Sequence, residues 1–319
     1  VENSTDNERV IEWEGKELIV HEFRKSHANG GRLEKFWVED RKSGREFLIK
    51  GASRFSYEPF SEKIAYLVGK NLGMDVLEYD IIPAKYFKGM IPMNPLCKYV
   101  SICERIDKQG YSITSVAEIK RALNAVKDDD EPYVSNKEVM LDIMGKRDVE
   151  TMILFDAIIG NTDRHYGNVH ILRNKKGEMV AAPILDNGAS LLAQNKIIWA
   201  LLGYNIGKFF NRSSNMENTQ EKQILHIDLT EKGLSTHDKR IADIGIGGIS
   251  YNIVPKTIDI LNDIQPTLDK MPKIRANMIK KYLVYRLHRY LTIVKQGKMP
   301  EKDTSSSSKV VGSREKEHT

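Results

Sequence analysis

The hydrophobic period of this chain changes along its length, and that change limits the architectures open to it. Residues 9–13, 17–23, 33–39 and 45–50 are short β-type runs in which apolar and polar residues interleave. Glu14-Gly15-Lys16 and Lys42-Ser43-Gly44 sit where turns would join these runs in pairs, and Ser26-His27-Ala28-Asn29-Gly30-Gly31-Arg32 forms a Gly-bearing loop between the pairs. The spacing then becomes helical. Phe60, Ile64, Leu67, Val68 and Leu72 fall on one face, Pro59 lies near the first turn, and Gly73 follows as a stop. Runs 76–86 and 96–106 read again as strands. After Asp107 the chain reads as helix over 115–126, 137–144 and the strongly apolar 148–159. Loops and short strands cover 160–190, and the remainder to about 296 is mostly helical, with Pro272 opening a long final helix. Strands first and helices after predict an α+β fold. The expected division is a small strand-rich lobe with one helix (1–106), a larger helical lobe (107–300) and a Ser-rich, charged tail (301–319) that reads as disordered.

Composition narrows the function classes. Of 319 residues, 40% are hydrophobic, which supplies enough apolar surface for real cores and excludes disorder of the whole chain. No apolar run approaches the ~18 residues of a spanning helix. Residues 1–9 are polar and acidic, so no secretory signal is expected, and the start at Val1 leaves room for an upstream segment. The tail balances four basic against four acidic residues, so the formal charge of +5 belongs to the folded part. Spread over that length it is too small to argue for nucleic acid. Lys280, Lys281, Arg286, His288 and Arg289 cluster on the final helix and read as a solvated face. Cys97 and Cys103 make neither a disulfide framework nor a zinc set; they read as small buried hydrophobes in a reducing cytoplasm. The Gly-rich stretch 244–250 has no strand–helix–strand context and is no nucleotide fingerprint.

The chemistry concentrates in Gly160-Asn161-Thr162-Asp163-Arg164-His165-Tyr166-Gly167-Asn168, and in Ala182-Pro183-Ile184-Leu185-Asp186-Asn187-Gly188. Between them, a short strand, a turn at Lys176-Gly177 and a second strand would bring both polar loops to one end. Asp163, Asn168 and Asp186 can then converge. Carboxylate and amide oxygens are hard donors suited to Mg²⁺, which takes one or two carboxylates and completes its shell with phosphate and water. Phosphoryl transfer also needs a carboxylate that orients or deprotonates the attacking hydroxyl. Asp163 is the candidate for that role, Asn168 and Asp186 for metal, and His165 for bracing the loop or touching the transferred phosphate.

The order Asp-Arg-His-x-x-Asn followed by Pro-Ile-x-Asp-x-Gly resembles the catalytic and metal loops of kinases related to HipA. It is also similar to the Asp-Arg-His loop of phosphoinositide 3- and 4-kinases. Within that superfamily the nearest likeness is to compact bacterial HipA-like serine/threonine kinases of the CtkA type. The resemblance covers roughly residues 20–295 by element order, and its sharp motif is 160–188. It implies a bilobal protein-kinase-like fold that binds ATP and Mg²⁺. It implies a strand lysine for the nucleotide phosphates, which Lys50 fits, and an acidic helix partner, which Glu62 fits better than Glu58 because Glu58 precedes the expected helix. It implies a phosphate loop, matched by Gly30 and Gly31 within 26–32, and a hinge near Cys103, Glu104 and Arg105 whose backbone would pair with adenine. Asn187 stands where protein kinases carry the Phe of Asp-Phe-Gly, and the loop at 26–32 lacks G-x-G-x-x-G.

The expected function is transfer of the γ-phosphoryl of ATP to a Ser or Thr hydroxyl of a protein, with Ser26 as a possible self-phosphorylation site that would block the nucleotide. The alternatives are a lipid or small-molecule kinase, and a HipA-type toxin restrained by a DNA-binding antitoxin, through which any link to nucleic acid would be indirect. A bacterial cytoplasm is the expected location, with secretion to a host left open.

Overall fold

The computed structural model describes residues 9–20, 35–51, 57–87, 98–107, 110–126, 134–161, 163–193 and 257–296. Gly30, Gly31, Ser26, Cys97, the stretch 244–250 and the tail 301–319 lie outside them.

Nine strands and five helices make up this part of the chain. β1 (Arg9–Trp13), β2 (Lys16–Val20), β3 (Lys35–Asp40), β4 (Glu46–Lys50), β5 (Tyr79–Pro83) and β6 (Tyr99–Glu104) form one antiparallel sheet in the order β1-β2-β3-β4-β6-β5. β6 is thus inserted between β4 and β5, opposite both. Phe36, Val38, Phe47, Ile49, Val100 and Ile102 alternate onto one face of this sheet and bury themselves with Leu18, Ile82 and Phe87. The period of two then sends Lys35, Leu48, Lys50, Ser101 and Cys103 to the other face. That face looks toward the cleft.

α1 (Glu58–Asn71) crosses the cleft face; of the predicted stripe, Phe60, Ile64, Val68 and Leu72 are buried and Leu67 is partly buried, with Ala65 joining them. The helix begins at Glu58, with Pro59 in its first turn, so Glu58 does not precede the helix as the sequence suggested. Its acidic charge at the amino end suits the helix dipole. The stripe does not stop at the sheet. It joins the carboxyl half of α3 (Asn136–Ile159), α4 (Thr257–Leu268) and α5 (Lys273–Gln296) in one core that includes Phe155, Ile159, Ile264 and Tyr282. α1 is therefore anchored in both lobes.

Boundaries differ from the sequence reading in physically simple ways. The run 76–86 is a strand only over β5 and then tightens into a 3₁₀ turn, Ala84–Phe87. The two expected helices 137–144 and 148–159 are the halves of α3, interrupted at Gly145, which takes φ +77°. β7 (Tyr111–Ser115), with β8 (His170–Asn174) and β9 (Met179–Ala181), forms a second sheet in the order β7-β8-β9. The sequence reading missed β7, a short and mostly exposed strand with little apolar contrast. α2 (Val116–Ala125) and α3 both open on capping boxes, Ser115 with Glu118 and Ser135 with Glu138. Arg286 corrects the solvated-face reading of α5: it is fully buried and donates from Nε to the Ala157 carbonyl at 2.9 Å. Among the described residues no helix is long and apolar enough to cross a membrane.

Gly160 ends α3 in the left-handed region at φ +65°, and a Cβ there would overlap the Tyr282 hydroxyl of α5. Gly160→Ala therefore meets both backbone strain and overpacking, together about 2–3 kcal/mol. A fall in thermal midpoint of several degrees is expected, measured by circular dichroism; an unchanged midpoint would show that α3 and α5 separate freely at this point.

Candidate active site

Three elements that are distant in sequence meet at Lys50. The last residue of β4, it is buried and donates from Nζ to Glu62 Oε1 at 2.9 Å and to Asp186 Oδ1 at 2.7 Å. Glu62 sits one turn into α1, and its other oxygen, Oε2, accepts from the Asn187 backbone N–H at 2.8 Å. Asp186 reaches the site because Ile184 bridges to Val76, with Leu77 N–H donating to the Ile184 carbonyl and Ile184 N–H to that of Asp75. The chain then turns at Asp186, which adopts φ +63°, a strained region that Asp tolerates better than most residues. This turn aims the carboxylate at Lys50 and the next N–H at Glu62. Gly188 passes close to α1: a Cβ there would lie 3.3 Å from Glu58 Cβ and 3.4 Å from Glu62 Oε1.

The charges hold each other. Burial alone would lower Lys50, but Asp186 and Glu62 outweigh it and keep the ammonium well above its ordinary value. Burial also pushes the Glu62 carboxyl up, opposed by Lys50 and reinforced by Asp186. For Asp186 burial is overcome by Lys50, with Lys35 and His170 adding to it, so that the carboxyl falls below the usual carboxylate range. Asp186 is thus an ionised oxygen ligand, 29% exposed.

The loop after α3 is braced by its own polar groups. Asn161 donates to Asp156 Oδ1 at 3.0 Å and accepts from the Asp163 N–H at 3.0 Å. The Asp163 carbonyl accepts from Asn168 Nδ2 at 2.9 Å, which leaves the amide oxygen as the end of Asn168 not used in that bond. Asp163 itself is exposed. His165 Nδ1 accepts from the Gly167 N–H at 3.1 Å, capping the 3₁₀ turn Tyr166–Asn168. That bond is the bracing geometry.

Arg164 joins the two loops. It pairs with Asp156 through Nε (2.9 Å) and Nη2 (3.1 Å), and Nη2 also donates to Asn187 Oδ1 at 2.7 Å. Nη1 donates to the carbonyls of Asn168 and Leu185 at 2.8 and 2.6 Å. Asp156, which sequence reasoning passed over, could have been found as a lone carboxylate inside the apolar run Ile153-Leu154-Phe155-Asp156-Ala157-Ile158-Ile159.

Beside the charged group lies an apolar wall of Leu77, Tyr79 and Cys103, with Leu48, Ile106 and Leu185 against it. Cys103 and Glu104 belong to the β6 ladder, and Arg105 N–H still bonds the Glu46 carbonyl at 2.9 Å. Cys103 thus contributes a side chain to the wall; burial pushes its thiol up to about 12. Glu104 is ion-paired with Arg45. Sequence reasoning also missed two cleft residues, Lys35 and His170. His170 opens β8; burial and the nearby Arg164, Lys35 and Lys50 lower it to about 4, against the pull of Asp186.

Among the described residues no three His, Cys, Asp or Glu side chains gather as a metal cage. A divalent cation bound by Asp186 and Asn168 would need phosphate and water to complete its shell.

No family model and no curated protein sequence matches the chain. Among solved structures, the crystal structure of the Helicobacter pylori proinflammatory kinase CtkA is similar over 82% of this chain and 94% of that one, at a TM-score of 0.54 and 18% identity. A Plasmodium vivax ethanolamine kinase aligns over 91% of this chain and 84% of its own, at a TM-score of only 0.26 and 11% identity, too remote to carry weight. The likeness to CtkA is one of fold: a strand-rich curled sheet followed by a helical part, the α+β architecture of a kinase.

Proposed function

We propose that this chain is an ATP- and Mg²⁺-dependent kinase of the HipA/CtkA-like kind that transfers the γ-phosphoryl group to a Ser or Thr hydroxyl of a protein. One observation carries the reading. Lys50 is held at once by a helix carboxylate from the first lobe and by a loop carboxylate from the second. Structural ion pairs seldom need three elements to orient one buried ammonium. A phosphate-binding lysine does, because its charge must be fixed before the nucleotide arrives.

Each residue then has a task. Lys50 neutralises charge on the α- and β-phosphates, and Glu62 keeps it from collapsing wholly onto Asp186. The wall of Leu48, Tyr79, Cys103 and Leu185 suits the flat apolar face of adenine. Asp186 and Asn168 offer hard oxygens for Mg²⁺, which when bound offsets charge on the β- and γ-phosphates. Asp163 takes the proton of the acceptor hydroxyl as its oxygen bonds to the γ-phosphorus. The bond from that phosphorus to the β-bridging oxygen breaks, and ADP leaves. His165 and Arg164 position the loop.

The test is incorporation of label from γ-labelled ATP with Mg²⁺, into the protein itself and into a lysate, followed by mapping of labelled residues. Lys50→Met is expected to lower transfer at least ~10²-fold, the scale of losing one preorganised cation. Wild-type transfer by that variant overturns the role of Lys50. Label that enters lipid or a small alcohol and no protein overturns the Ser/Thr acceptor.

A further inference from the structure

We infer that Lys35 is a second phosphate-binding cation of this nucleotide site, mounted on β3 directly across the ladder from Lys50. The inference rests on the kinase reading and goes beyond its two-loop machinery.

The position follows from register. Lys35 pairs with Lys50, Phe36 with Ile49 and Trp37 with Leu48. Phe36 and Val38 are buried in the sheet core, so Lys35 and Trp37 emerge on the opposite, cleft-facing side. Residues directly opposite on neighbouring antiparallel strands have Cβ atoms about 5 Å apart, and like charges so placed repel. Two lysines facing each other at the floor of a sheet therefore need a reason.

The nearby carboxylates do not supply it. Both acids nearest this point are committed to Lys50, at 2.9 and 2.7 Å. Among the described residues the Lys35 side chain makes no hydrogen bond or ion pair. It is only half-buried, yet burial and then the charge of Lys50 lower its pKa, while Asp186 and Glu62 pull the other way. The ammonium therefore sits in the field of Lys50 and its two carboxylates, while the direct ion pairs to both belong to Lys50. A partly desolvated cation with no direct carboxylate pair among the described residues is costly. An anion of more than one charge, entering between the two ammonium groups, would relieve both the desolvation and the repulsion. The polyphosphate of a nucleoside triphosphate has that charge and that length. Lysine binds such a group as a point charge, without a required geometry. A fixed cation on β3 also fits a chain whose loop at 26–32 lacks the G-x-G-x-x-G pattern.

The experiment compares wild type, K35M and K35R in binding of ATP, ADP and adenosine with Mg²⁺ by calorimetry, alongside thermal midpoints without nucleotide. In K35M the dissociation constant for ATP should rise at least tenfold while that for adenosine, which has no phosphate, stays within twofold. The midpoint of the free protein should hold or rise, because an uncompensated charge has been removed. K35R should stay within about threefold of wild type for ATP. K35M binding ATP as wild type does, losing ATP and adenosine equally, or melting clearly lower than wild type would each overturn the role of Lys35 and leave the kinase reading standing. A wild-type protein that binds no ATP overturns the kinase reading, and this inference with it.

Discussion

Asp163→Ala should lower phosphoryl transfer by about 10²–10⁴-fold, the scale expected for a positioned base, while leaving the melting curve within a degree or two of wild type. The two parts of this expectation have separate causes. Asp163 is exposed at the loop, and the bonds described there run through its main chain: its N–H to Asn161, its carbonyl from Asn168 Nδ2 and from the His165 N–H. Those main-chain bonds do not use the carboxylate. In the proposed role, what is lost is the acceptor for the hydroxyl proton. Single-turnover transfer at saturating ATP, with calorimetric melting on the same preparations, measures both parts. Transfer at the wild-type rate would falsify the assignment of Asp163. Asp186→Ala should also abolish transfer, but it is a less clean experiment. It removes one of the two carboxylates on a buried ammonium, so stability changes with activity.

Those expectations were largely legible in the chain, for different reasons at different residues. Asp163, Asn168 and Asp186 were legible as a pattern because loop chemistry is local: a few residues of fixed type at fixed spacing, flanked by an apolar helix and short strands. Lys50 and Glu62 were legible only by order, strand end before helix, and the structure brings their side chains to 2.9 Å. Lys35 was not legible at all. A lysine within a short β-type run looks solvated until the register with β4 is known, and register is a property of two strands at once. Arg286 failed in the same way. Among the charges of α5 it looked like part of a wet face, but α3 ends against that face and offers the Ala157 carbonyl. The stripe of α1 was legible, but not its neighbours: α1 shares its core with α3, α4 and α5. An amphipathic stripe shows that a helix buries one side; it does not show what lies against that side.

Arg164→Met is expected to be the most destabilising single change at the site, about 3–5 kcal/mol, the usual cost of removing one partner of a buried ion pair. Arg164 and Asp156 are 1% and 3% exposed, so the abandoned carboxylate would find no water. Burial would by itself lower the Arg164 guanidinium, but Asp156 more than compensates and raises it. Among the described residues, Asn161 would remain on Asp156. The loss extends further, because the carbonyls of Asn168 and Leu185 and the Asn187 side-chain oxygen also lose the donors described for them. Those three acceptors fix the residues on either side of the proposed metal position. Arg164→Lys should rescue little, since a single ammonium cannot span acceptors that a planar guanidinium reaches from three nitrogens. The double variant Arg164→Met, Asp156→Leu separates the two roles. Removing the stranded charge should restore about half of the lost stability, because a well-packed apolar pair can replace a buried ion pair. It should restore no transfer, because Asn168 and Asp186 would still lack the tie between their loops. Denaturant unfolding and γ-labelled ATP transfer measure the two quantities on the same protein. If the double variant recovered stability and transfer together, Arg164 would be a fold determinant and nothing more; if stability returned alone, the guanidinium would be what holds the two loops in register for chemistry.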